Sequence, residues 1–323
     1  MSTLEKLQSL IIFIAILFGL LLGQIAIISK GAGYIIMPFL FLMLFAIFIN
    51  IPLKDFKKSL SNFRFTTFSL IINFIWTPIL AYILGYMFLS NNSQLWIGFI
   101  MLLVTPCTDW YLMFTDMAKG NVPLGFSTLP LNLILQIVLL PVYLLLFTGV
   151  NGGFDINMLF ESIIYIIILP FLLAQIGRYI LSKEKFIKKS LDKKILGFFK
   201  SIQIIFLSLA IFAMFASQGN FLTHNLGVIL LLLTPFLIFF IVNFLLVRVI
   251  AKFSKMKHDE YVSLSLTTLA RNSPISLAIA VVAFPNNPLI SLALVIAPLI
   301  ELPILTIVSQ LLLLLNKGKN ENR

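Results

Sequence analysis

The chain is 323 residues long, 60% hydrophobic and only 11% charged, with a formal net charge of +11. Soluble domains average about 45–50% apolar and about 25% charged residues, so this composition excludes a soluble fold and, equally, the fibrous and disordered classes. The single cysteine, Cys107, excludes an internal disulfide.

Lys6 precedes an apolar run from Leu10 to Ile28. The run is long enough to span a bilayer and no small-residue cleavage site follows it, so it predicts a retained first membrane helix and not a signal peptide. A span needs about 20 mostly apolar residues. Runs of that kind lie near 10–28, 34–53, 65–89, 95–115, 122–147, 156–181, 198–217, 221–247, 261–284 and 288–315. Pro235 falls inside the eighth and predicts a kink. With ten spans, all of the 23 Lys and Arg except Lys30 and Arg271 fall on the side that holds both termini. Positive charge marks the cytoplasmic side, so both termini are expected inside a cell membrane. The same bias explains the basic excess without a nucleic-acid partner.

The basic stretch from Arg178 to Lys200 lies mid-chain and reads as a cytoplasmic connector between two five-helix halves. An odd number of spans per half inverts the second half relative to the first, an arrangement common among secondary transporters. The expected fold is therefore an all-α membrane protein of ten transmembrane helices. It forms a single transporter domain over 1–323, with a first repeat at about 1–150 and a second at about 155–316.

The fourth and ninth runs are interrupted. Val104-Thr105-Pro106-Cys107-Thr108-Asp109-Trp110 occupies the middle of one, and Thr267-Thr268-Leu269-Ala270-Arg271-Asn272-Ser273-Pro274 the middle of the other. A proline inside a helix removes a backbone donor and clashes with the preceding turn. Paired breaks at Pro106 and Pro274, rich in polar residues, point to a substrate site, with Cys107, Thr108, Asn272 and Ser273 as its candidate lining. An ordinary proline kink is the plainer alternative. Asp109, Arg271 and Glu301 fall at membrane depth, where ionisable groups mark a pathway or a partner. A carboxylate of this cluster is a candidate proton carrier, and Arg271 is either part of it or half of a static pair holding the broken helices together. Cys107 offers a soft ligand; its plainer reading is a small buried residue. Asp116 reads as a solvated helix-end charge, and Asn132 and Gln136, one turn apart, as secondary cavity candidates. Most other in-span polar residues, Asn73 and Asn243 among them, read as helix–helix hydrogen bonds. His224 and His258 fall in expected loops without an acidic cluster, so no metal site is proposed. Catalytic and nucleotide motifs are missing and no cofactor is implied, so transport must run on an ion gradient or on the solute's own.

Pro106-Cys107-Thr108 through Asp116-Met117-Ala118-Lys119-Gly120-Asn121 resembles the fourth-helix signature of the bile acid:sodium symporter superfamily. Ala270-Arg271-Asn272-Ser273 through Leu277-Ala278-Ile279-Ala280 resembles its ninth-helix signature. The resemblance implies a core domain of spans 3–5 and 8–10, whose fourth and ninth helices cross at their breaks, and a panel domain of spans 1, 2, 6 and 7. It is closest to the Acr-type arsenite permeases, where a cysteine occupies the place of Cys107 and an acidic residue followed by Val-Pro matches Glu301-Leu302-Pro303. Ser276 stands where those permeases usually carry a glutamate, and Thr-Asp-Trp-Tyr is not their usual pattern. In the sodium-coupled branch, Tyr111 and Leu112 stand at the Ser/Asn places, Thr267 at the carboxylate and Arg271 at a glutamine. A fixed guanidinium repels sodium, so the resemblance implies proton rather than sodium coupling. The expected function is efflux of trivalent arsenic, as arsenite or antimonite. The alternatives are organic-anion transport, with Arg271 as counter-charge, and a membrane sensor without flux.

Overall fold

In a computed structural model the described residues are 7–50, 62–108, 110–148, 161, 164–183, 191–224 and 226–321. Among them the chain is built of helices joined by short turns. Lipid imposes this, because backbone polar groups in a bilayer must be satisfied within the protein and a helix does so within one segment.

The order begins α1 (Gln8–Leu22), α2 (Ala26–Asn50), α3 (Phe63–Ile71), a π-helical turn (Ile72–Trp76) and α4 (Thr77–Leu89). It continues with α5 (Ser93–Leu103), α6 (Tyr111–Met117), α7 (Val122–Thr148), a second π turn (Ile164–Ile168) and α8 (Leu169–Lys183). The last five are α9 (Leu191–His224), α10 (Leu226–Phe253), α11 (His258–Leu269), α12 (Ser273–Ala283) and α13 (Pro288–Glu321). Among the described residues six segments are long and apolar enough to cross a membrane, namely 26–50, 63–89, 122–147, 197–217, 230–253 and 288–315. The chain is thus a multi-pass membrane protein. Asp109 and part of the basic connector, 184–190, lie outside the described residues.

The first boundary differs from the sequence reading. The chain turns at Gly23–Ile25, earlier than the expected gap between 28 and 34. Hydropathy misses the turn because Ile25, Ala26, Ile27 and Ile28 keep the run apolar across it. Close packing sets its place: a Cβ on Gly23 would stand 2.5 Å from the Ala216 carbonyl oxygen, and one on Gly19 2.7 Å from that of Phe212. Small residues let membrane helices approach this closely. His224 and His258 are likewise not in loops: the first ends α9 and the second opens α11.

Two compact units emerge. The first combines 1–51, 154–229 and 277–295. Within it α9 packs along α1 and α2, and α8 along α2; the Arg178 guanidinium donates to the Ile49 carbonyl near the end of α2 (3.1 Å). The second unit combines 52–153, 230–276 and 296–323, and so holds both interrupted stretches up to Ser276 together with Glu301. In it α11 lies against α3, α6 and α7.

Candidate functional site at the two helix breaks

Within the second unit, α5 ends at Leu103 and α6 begins at Tyr111, while α11 ends at Leu269 and α12 begins at Ser273. At 1.5 Å per residue α5, α11 and α12 are each about 16–18 Å long, roughly half the ~30 Å hydrocarbon thickness. The two open stretches meet as a short antiparallel bridge between Pro106 and Arg271. Pro106 has no N–H to give. Its neighbours make the bonds instead: Cys107 N–H donates to the Ala270 carbonyl (3.0 Å) and Asn272 N–H to that of Thr105 (2.8 Å). Pro274, second residue of α12, sits where a helix has no use for the missing donor.

A broken helix leaves its last carbonyls without intrahelical partners, and in the apolar core each must be met by something else. For α11, Asn73 Nδ2 reaches the Thr267 carbonyl (3.5 Å) and Asn243 Nδ2 that of Thr268 (2.6 Å). The Arg271 guanidinium also donates to the Thr268 carbonyl, and its Nε to that of Leu269 (3.3 Å). For α5, Thr105 Oγ1 bonds the Met101 and Leu102 carbonyls (both 2.9 Å). Ser276 Oγ bonds Thr105 Oγ1 (2.6 Å) and also donates to the Met101 carbonyl (2.9 Å). Arg271 Nη1 donates to the Leu103 carbonyl (2.8 Å). One guanidinium therefore caps both half-helices. Each helix C-terminus carries roughly −0.5 of a charge, so two of them match a single cation. Arg271 is fully buried, lies over the Phe239 ring (5.3 Å to the centroid) and donates through Nη2 to Asn73 Oδ1 (2.9 Å).

Glu301, also buried, meets the backbone of Arg271: its Oε1 accepts the Arg271 N–H at 2.9 Å. Its Oε2 has no hydrogen-bond partner among the described residues, nor does the buried indole N–H of Trp110. Arg271 and Glu301 thus come together, and Arg271 positions the carboxylate through its main chain while its side chain serves the helix ends. Asp109, the third expected member, lies outside the described residues.

Of the expected lining residues, Cys107 is buried at 2% exposure, and Thr108 Oγ1 accepts from Asn272 Nδ2 (3.0 Å). The Oδ1 of Asn272 accepts from Ile275 N–H (3.3 Å), so this side chain also caps α12. Ser273 is buried in the first turn of α12. Tyr111 donates to the Gly125 carbonyl (2.7 Å) and its ring fills the space beside that glycine. On α7, Asn132 and Gln136 are fully buried, and all four of their polar atoms lack partners among the described residues. Ser276 and Phe239 were not singled out for this role from sequence. Ser276 was marked only as standing at the place of a family glutamate, and a serine one helical turn after a break is the signal for its capping role; Phe239 gave none.

The Ala118-Lys119-Gly120-Asn121 stretch has a structural cause. Lys119 takes a left-handed backbone (φ 55°) to end α6. A Cβ on Gly120 would meet Val262 Cγ1 at 2.6 Å and Thr115 Cγ2 at 2.7 Å. Asn121 Oδ1 accepts from Leu124 N–H at the start of α7 (3.1 Å), while its Nδ2 donates to the Asp259 carboxylate (3.2 Å). Ser263 Oγ donates to its carbonyl (3.0 Å). The turn locks α6 and α7 to α11.

Comparison with known families matches residues 37–225 to the Sodium Bile acid symporter family. Among curated proteins, the arsenical-resistance protein Acr3 of Corynebacterium glutamicum is 25% identical over 324 residues, covering 94% of this chain and 87% of that protein. An uncharacterized transporter of Synechocystis is 23% identical with the same coverage. An uncharacterized protein of Bacillus subtilis is 22% identical, over 84% of this chain and 86% of its own.

Proposed function

Because the chain belongs to the Sodium Bile acid symporter family of membrane transporters, we propose that it is a secondary active transporter that exports trivalent arsenic, as arsenite or antimonite, in exchange for protons. The observation that carries this reading is the position of Cys107. The chain's one cysteine lies in the bridge between the two helix breaks, its N–H tied to Ala270 and Arg271 next along the chain. A thiolate is a soft ligand suited to a thiophilic metalloid. The similarity to an arsenical-resistance protein points the same way.

In this mechanism Cys107 engages the metalloid transiently, with Thr108, Asn272 and Ser273 beside it. Glu301, or Asp109, carries the proton; the Oε2 of Glu301 makes no hydrogen bond among the described residues. Loading Cys107 forms an S–As bond as one As–O bond breaks, the thiol proton leaving with that hydroxyl as water. Hydrolysis on release restores both, and the proton exchanged is the one the carboxylate takes up outside and gives up inside. Sodium is disfavoured as the coupling ion, since Tyr111 fills the space beside Gly125 and the guanidinium of Arg271 takes the half-helix carbonyls that coordinate cations in other transporters. The alternative, organic-anion transport, needs Arg271 as counter-charge, and that guanidinium is committed to carbonyls and Asn73. A sensor without flux finds no support in a family of transporters. The proposed architecture is ten helices in two inverted repeats in the cell membrane, with both termini cytoplasmic.

Arsenite accumulation in everted membrane vesicles tests this. Wild type should accumulate arsenite only under an inward-acid pH gradient, and Cys107→Ser should not. No accumulation by verified wild-type protein refutes arsenite export, and undiminished accumulation by Cys107→Ser refutes the role of the thiol.

A further inference from the structure

Where α10 ends, the chain turns through Ser254–Lys257 into α11. A cavity of about 720 Å³ opens there, lined by Arg248, Lys252 and Lys255 and by the ring of Tyr261, with Leu314 and Leu315 of α13 as an apolar wall. We propose that this cavity binds the phosphate headgroup of an anionic phospholipid.

Four observations support it. Three cations converge on one cavity, whereas capping the negative end of α10 would need only one in the last turn, where Lys252 stands. The nearby acidic residues are engaged elsewhere: the Asp259 carboxylate holds Asn121, and Glu260 accepts the Lys257 N–H (3.3 Å). Lys255 adopts a left-handed backbone (φ 50°), at a helix end closed by Met256 N–H on the Ala251 carbonyl (3.0 Å). Glycine is the usual residue at such a position, so lysine accepts backbone strain there and delivers a charge to the cavity. Finally, Tyr261 and His258 line the same cavity and bring polar side chains to it beside the cations.

The flank separates a lipid from a soluble anion. Phe253 is 82% exposed, Leu314 62% and Val249 50%, so apolar surface continues from the basic cavity where acyl chains would lie. Clustered Lys and Arg at a helix end are a known means of holding anionic lipid, worth about 1 kcal/mol or fivefold per charge.

The test is thermal unfolding of the purified full chain in neutral detergent, titrated with phosphatidylglycerol, phosphatidylcholine or inorganic phosphate. Phosphatidylglycerol should raise the midpoint, and the other two should not at equal phosphate concentration. Lys255→Gly should melt at or above the wild-type temperature without lipid, because the turn favours glycine, yet need about fivefold more phosphatidylglycerol for the same shift. The Arg248→Gln/Lys252→Gln/Lys255→Gln variant should need on the order of a hundredfold more. An equal response to phosphatidylcholine or no response to any lipid overturns the proposal, and an equal response to inorganic phosphate reassigns the cavity to a soluble anion. An unchanged lipid response in Lys255→Gly overturns it too, and that variant decides the matter should the triple variant fail to fold.

Discussion

Arg271 is the residue for which stability and transport separate the competing mechanisms most cleanly. Replacing it with methionine keeps much of the volume and removes every donor. The Thr268 carbonyl would still hold Asn243. The Leu103 and Leu269 carbonyls and Asn73 Oδ1 would lose the guanidinium bonds of 2.8, 3.3 and 2.9 Å. Three acceptors left unmet in a buried site cost about 1–3 kcal/mol each, so the expected loss is roughly 3–9 kcal/mol. Membrane hydrogen bonds measured by double-mutant cycles average only about 0.6 kcal/mol, which sets a floor near 2 kcal/mol. Even the floor is a large part of a folded protein's margin. Lysine should recover less than half of the loss, because one ammonium cannot reach carbonyls of two helices and Asn73 in the fixed fork that arginine provides. The assay is reversible unfolding in mixed micelles followed by tryptophan fluorescence, with arsenite binding measured in parallel. If Arg271→Met is as stable as wild type while solute binding is lost, the guanidinium belongs to the solute and the capping argument fails.

Three further substitutions probe the surroundings. Asn132→Leu and Gln136→Leu remove amides that have no partner among the described residues, so melting temperature should stay level or rise while vesicle transport falls; a marked loss of stability would show that these amides are bonded within the fold. Gly120→Ala forces a methyl to within 2.6 Å of Val262 and 2.7 Å of Thr115 and should destabilise by about 1–3 kcal/mol, seen as a lower melting temperature, and an unchanged value would refute the tight-turn reading.

The helical class was legible because composition alone excludes a soluble core, and the two interruptions because proline beside clustered polar residues cannot continue an apolar helix. The meeting of Arg271 with Glu301 was legible as a need for a partner, since neither group is tolerated alone at depth. Its form was not. Sequence suggests a side-chain ion pair, while the structure joins the carboxylate to the Arg271 main-chain N–H and turns the guanidinium to carbonyls. Those carbonyls belong to every residue alike, so no letter in the sequence marks which of them a break will leave open. The turn at Gly23 escaped for a related reason: hydropathy records what a residue prefers to touch, whereas Gly23 is fixed by how closely Ala216 approaches.

The hydrogen bonds at the breaks also sort the buried polar residues by what remains for a solute. Asn73, Thr105 and Ser276 are each occupied in meeting backbone carbonyls, Asn243 meets one through Nδ2 while its Oδ1 has no partner among the described residues, and Arg271 closes the count. Glu301 Oε2, Trp110 Nε1, Thr267 Oγ1 and the amides of Asn132 and Gln136 find no partner among the described residues. A buried polar group left unmet is costly, and a transporter tolerates that cost where a solute or water arrives to meet it. The first group therefore holds the broken helices in register, and under the proposed function the second is what remains for the cargo. Substitutions in the first should act on stability before transport, and those in the second on transport before stability.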